Sequence, residues 1–206
     1  MNPLDRLAEL FASFPGIGTR QSKRFVAFLL TKDPSFLRDL THAIQVLKEQ
    51  VVECAECHRF FAKTNANSTV CNVCVNPLTD KSTLLVVEKD SDEEAVRRSG
   101  VYKGSFFVLG GTLSFLEKNP SKAIRVRELV STLEARTKSG VLKEVILALS
   151  ATPDGDSTAR YILKTIEPIT AFHDTVVSSF GRGLSTGTEL EYSDRDTLSE
   201  AFKNRR

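Results

Sequence analysis

The sequence predicts an α/β chain in which a parallel sheet, covered on both faces, follows a helical region and a metal-binding cysteine segment. Three observations predict it. From Thr83 onward, short continuous apolar runs alternate with helical stretches, and strands that are apolar at every position are strands buried on both faces. Before that point, apolar residues recur at helical spacing. Between the two regions lie four cysteines, Cys54, Cys57, Cys71 and Cys74, in two C-x2-C pairs separated by thirteen residues.

The elements follow in order. Leu4, Leu7, Ala8 and Phe11 form one helical stripe, Pro15-Gly16-Ile17-Gly18 interrupts it, and Phe25, Phe28 and Leu29 form a second. A third helix is expected from about Ser35 to Gln50, on Leu37, Leu40, Ile44 and Leu47. After the cysteines come the strand Leu84–Val87, the capped helical run Ser91-Asp92-Glu93-Glu94 and the strand Phe106–Leu109 before Gly110-Gly111. A stripe on Val126, Leu129 and Leu133 precedes the strand Val145–Leu149. A helix is expected near Ser157 and a last strand from Thr175 to Phe180. This divides the chain into a helical region over 1–52, a cysteine segment over 53–80, a sheet domain over 81–178 and a C-terminal extension over 179–206.

Composition narrows the function. With 206 residues and an ordinary apolar share, the chain can bury a core. The opening MNPLDRLAEL carries two acids and no apolar signal core, and no run approaches the roughly 18 apolar residues of a membrane span, so a cytoplasmic protein is expected. Thiols stay reduced there, and clustered cysteines then point to a metal. The C-x2-C pairs can each wrap two sulfurs around one Zn²⁺, and four thiolates leave no open position for water, so one structural ion is expected. His58, beside Cys57, is expected to be a bystander. The formal charge is +2, and four thiolates with one Zn²⁺ bring it to about zero. Affinity for nucleic acid therefore has to come from a local basic surface.

Such a surface exists. Gly16 and Gly18 stand just before a helix N-terminus, where backbone N–H groups can meet an anion. From Gly16 to Lys32 there are four cations, Arg20, Lys23, Arg24 and Lys32, and no carboxylate. The stretch resembles the helix-hairpin-helix motif, which grips DNA phosphates without reading bases. The alternative is a helical hairpin with a solvated charged face. In the sheet domain, Glu88 follows one strand, and Asp154 and Asp156 follow another on what reads as one short loop. If those strands are neighbours, the three acids could share a Mg²⁺ or meet a partner. The pattern resembles the Toprim fold of topoisomerases, primases and some nucleases. Asp156 could instead favour a helix dipole. Tyr102, Tyr161 and Tyr192 read as packing or interface residues.

The order of the parts resembles the bacterial recombination mediator family RecR over essentially the whole chain. The matching stretches are Phe14–Gly18, the C-x2-C pairs, Leu85–Glu88, Val108–Gly111, Glu144–Ala148, Arg182-Gly183-Leu184 and Leu190–Asp194. The resemblance implies a homodimer or ring-shaped tetramer that clamps DNA and works with RecO and RecF in loading RecA at single-strand gaps. It also implies DNA contacts at Arg20, Lys23 and Arg24, and a Toprim domain that serves as scaffold without catalysis. Departures lie at Ser150–Asp156, at Thr112–Phe115 and at Ser185-Thr186-Gly187. A metal-dependent Toprim nuclease or topoisomerase-like enzyme is the competing expectation, with Glu88 as general acid or base.

Overall fold

A computed structural model describes residues 2–114, 117, 119–181, 183–184, 187 and 189–205; Phe115, Arg182, Ser185 and Thr186, named above, lie outside them. The chain forms two compact units, residues 1–51 and 52–206.

The first unit is helical. Helix α1 spans Pro3–Ala12, begun by Pro3 and capped by the Asn2 side chain, which accepts from Leu4 N–H at 3.1 Å. Helix α2 spans Thr19–Leu30 and packs on α1 through Ala8, Ser22 and Val26, with Phe11 edge-on to Phe14 and Phe25. The turn between them needs Gly16, whose φ of 75° is a left-handed conformation that costs other residues roughly 1–2 kcal/mol. Helix α3 spans Pro34–Gln50, close to expectation, and leaves its apolar stripe of Leu37, Leu40, Ile44 and Leu47 exposed.

From the last residue of the first unit into the second run the strand β1 (Val51–Glu53), which pairs with β2 (Phe60–Ala62), and then the single turn α4 (Asn72–Val75). Strand β3 (Asp80–Val87) then leads to α5 (Asp90–Ser99), β4 (Gly104–Val108), α6 (Pro120–Ala123), α7 (Val126–Lys138), β5 (Glu144–Ala148), α8 (Pro153–Phe172) and β6 (Val176–Ser179). A 3₁₀ turn at Leu190–Tyr192 and helix α9 (Arg195–Lys203) end the chain. Strands β3 to β6 form a parallel sheet in the order β4-β3-β5-β6, so the strands that precede Glu88 and the Asp154–Asp156 segment are neighbours.

Alternation along the strands decides what covers each face. Leu84 and Val86 join Phe107, Val145 and Leu147 in a core with Leu129 and Leu133 of α7 and Ile162 and Ile166 of α8. Leu85, Val87, Phe106 and Val108 point the other way, into a core with the four cysteines, Phe61, Val73 and, on α5, Val96. The cysteine segment is thus one cover of the sheet. Its backbone is tied there, with Val108 N–H donating to Cys57 O at 2.8 Å.

Two helix starts differ from expectation. The run after β3 begins at Asp90, and Asp92 reaches back to accept from Lys89 N–H at 2.9 Å. Helix α8 begins at Pro153, four residues before Ser157, because Thr152 caps it by accepting from Gly155 N–H at 3.1 Å and Pro153 supplies a preset first turn. Asp154 and Asp156 therefore sit in a helical turn and not on a loop.

Candidate metal centre and charged faces

Each C-x2-C pair is held in a local turn. His58 N–H donates to Cys54 O at 3.0 Å, Cys54 N–H to Arg59 O at 2.9 Å, and His58 takes the left-handed φ of 61° that the tight turn requires. Cys71 caps α4, and Val75 N–H donates to its carbonyl at 3.1 Å. All four sulfurs are buried and lie within 4.8 Å of one another. Cys57 Sγ and Cys71 Sγ are 3.6 Å apart, against about 3.8 Å for the edge of a tetrahedron with sulfurs about 2.3 Å from zinc. Cys71 N–H points at Cys54 Sγ from 3.3 Å, as a donor to thiolate does. The donor set and spacing fit a tetrahedral metal ion such as zinc.

The thiols by themselves are in conflict. Hydrogen bonding from Cys57 holds Cys54 down to about 6, and Cys54 with its neighbours pulls Cys71 down. The same bonds push Cys57 and Cys74 up. Four thiolates packed this closely repel one another, and a divalent cation among them offsets that repulsion.

Charged side chains surround the cysteines. His58 Nδ1 lies 2.6 Å from Glu53, whose other oxygen meets Arg125 at 3.0 Å. Burial pushes the Glu53 carboxyl up, but His58 and Arg125 outweigh it and hold it below its usual value. His58 is thus engaged away from the sulfurs. Arg59, buried, contacts Glu93 of α5 at 3.3 Å and donates to Asn72 at 2.6 Å. Burial pulls its pKa down, yet the nearby Cys71 sulfur and the charges of Glu93 and Cys57 raise it overall. The sequence reading missed Glu53, Arg59, Glu93 and Arg125, since Glu93 lies 34 residues from Arg59 and Arg125 lies 72 from Glu53.

At the sheet's carboxyl edge, Glu88 is buried, and its Oε1 accepts from Ser150 N–H at 2.6 Å, while its backbone carbonyl accepts from Gly110 N–H. Asp154 is exposed and Asp156 half-buried. Residues two apart on a helix do not share a face, so the α8 turn aims these two carboxylates apart. Among the described residues, the four cysteines are the one group of three or more His, Cys, Asp or Glu side chains with ligand atoms close enough to share an ion; Glu88, Asp154 and Asp156 do not form another. Gly155 has its own reason to be glycine, since a Cβ there would collide with the Ser150 carbonyl oxygen. Gly155→Ala is expected to cost about 1–3 kcal/mol in denaturant unfolding, through displacement of the Ser150 loop.

In the first unit, Arg20, Lys23 and Arg24 are all exposed along α2, with Arg24 reaching Gln21 at 3.4 Å. Gly18 caps α2 with no side-chain hydrogen bond, and the space a Cβ would take at Gly16 or Gly18 is open. Lys32 folds onto the Phe28 ring, 4.4 Å from its centroid. The freely presented charge is therefore that of the first three cations.

Comparison with known proteins agrees with this layout. The profile of the Toprim domain matches residues 82–178, and one described as "RecR, C-terminal" matches residues 183–206. A Recombination protein RecR of Phocaeicola vulgatus is 36% identical over 202 residues, covering 98% of this chain and 92% of the relative. Those of Chloroflexus aurantiacus and Chlorobium limicola are 35% and 34% identical, covering 99% and 98% of this chain and 94% and 95% of the relatives. Such likeness along almost the whole length means that this chain belongs to the RecR family of recombination proteins.

Proposed function

We propose that the protein is a DNA-binding recombination mediator in DNA repair, which clamps DNA as a homodimer or homotetramer and, with RecO and RecF, helps load RecA at single-strand gaps. The observation that carries this reading is the near-full-length kinship with recombination proteins. The division of labour follows the sequence: residues 1–52 grip DNA, 53–80 form a zinc finger, 81–178 a Toprim scaffold, and 179–206 serve partners or self-association. Arg20, Lys23 and Arg24 meet phosphates, and Gly16 and Gly18 let the backbone approach them. The ion is one zinc held by Cys54, Cys57, Cys71 and Cys74, with no position left for substrate water. The exposed apolar stripe of α3 favours a second copy over a lone chain. Among the described residues, no helix is long and apolar enough to cross a membrane, which agrees with a cytoplasmic protein acting on DNA.

The protein acts without catalysis in this reading. Asp154 and Asp156 lie two apart on a helix, and Glu88 is buried and engaged with Ser150 N–H, which disfavours a Mg²⁺ site shared by all three and leaves the exposed Asp154 end of α8 as a surface for partners. Incubation with gapped and plasmid DNA plus Mg²⁺ or Mn²⁺ is the test. The DNA is expected to be retained uncut in complexes of more than one chain. A nicked or relaxed product that vanishes with Glu88→Ala would replace this reading with the Toprim enzyme.

A further inference from the structure

Arg59 is an anomaly in its surroundings. It follows Cys57 by two residues and is only 9% exposed, beside the core that the cysteines share with the sheet. One arm of the guanidinium donates to Asn72, the residue after Cys71, at 2.6 Å. The other meets both oxygens of Glu93 at 3.3 and 3.4 Å. Glu93 is 2% exposed and is also held by Arg97 at 3.0 Å on the same helix. Arg59 Nε is buried with no hydrogen-bond partner. Burying a guanidinium is costly unless enough negative charge faces it, and Glu93 is already shared with Arg97.

A filled four-thiolate site supplies that charge. Four thiolates around one divalent cation carry a net charge of −2, buried in the same core. We propose that Arg59 is a positioning residue for the metal site. Its guanidinium offsets the charge of the filled cysteine cluster and, through Asn72 and Glu93, ties the second cysteine pair to helix α5. Metal occupancy is then felt at α5, a helix that contributes no ligand. This rests on the metal reading above.

The test uses the full chain and Co²⁺, whose thiolate charge-transfer bands report on the sulfurs. Wild type is expected to take one Co²⁺ per chain. Arg59→Met keeps the apolar stem and is expected to bind about 10–100-fold more weakly, as loss of an outer partner does, with shifted charge-transfer bands. Arg59→Lys keeps the charge without the fork and should fall between, which also serves if the Met variant does not fold. In wild type, metal removal should speed amide exchange in α5; in Arg59→Met the α5 amides should exchange fast with or without metal. Wild-type affinity and bands in both variants, or α5 exchange indifferent to metal in wild type, would overturn the proposal. A wild type that takes up no Co²⁺ or Zn²⁺ would be a distinct result, removing the metal reading and Arg59's role together.

Discussion

Removing the metal is expected to unfold the cysteine segment and lower the melting temperature of the whole second unit by about 10–20 °C. The segment has few large apolar side chains, and bound metal stands in for a core. Apparent binding energies for structural zinc in finger peptides reach about 10–16 kcal/mol. Here the loss would not stay local, because the same segment covers Leu85, Val87, Phe106 and Val108. Each of those side chains gains roughly 1.5–3 kcal/mol from full burial. Relaxation of the apo chain recovers part of that, and a net loss of about 5 kcal/mol corresponds to the temperature shift given. Cys57→Ser should reproduce much of the effect. Melting curves before and after chelation, with proteolysis of residues 54–79 and metal analysis, check it. Identical melting and digestion after verified metal loss would mean that the sheet holds its cover without the ion.

Reversing charge at Arg20 and Arg24 together is expected to weaken DNA binding about 100-fold at moderate salt. The two side chains stand one turn apart on α2, and no carboxylate between Gly16 and Lys32 offsets them. Each phosphate neutralised on duplex DNA contributes a slope of about 0.9 in log affinity against log salt, so loss of two contacts should flatten that slope by about 1.8. Both residues are exposed, so the fold should survive and melting should barely change. Lys23→Gln should give a smaller loss with the slope falling by about 1. Unaltered affinity and slope in the double variant would remove these residues from the DNA interface.

Much of the fold was legible because its signals are local. The cysteine spacing announces a four-sulfur cluster, and the continuous apolar runs at Leu84–Val87 and Phe106–Leu109 announce strands buried on both faces. The α8 start was legible in principle, since Thr152-Pro153-Asp154 is a cap, a first-turn proline and an acid in succession. The Asp-Gly-Asp therefore lies in the first turn of that helix. The glycine is required by the approach of Ser150 O.

By itself the sequence determined the parts: three helices, the first two joined by a glycine turn, a cluster of four cysteines, parallel strands, and three unopposed cations on one helix. Each depends on residues within a few turns of one another, where period, capping and spacing carry the physics. Only the tertiary structure decided that the cysteine segment covers the second face of the sheet, that Glu88 is bonded to Ser150 N–H, and that Arg59 meets Glu93. Those outcomes depend on which distant segments exclude water together, and burial energy depends on that joint arrangement, which no local pattern encodes.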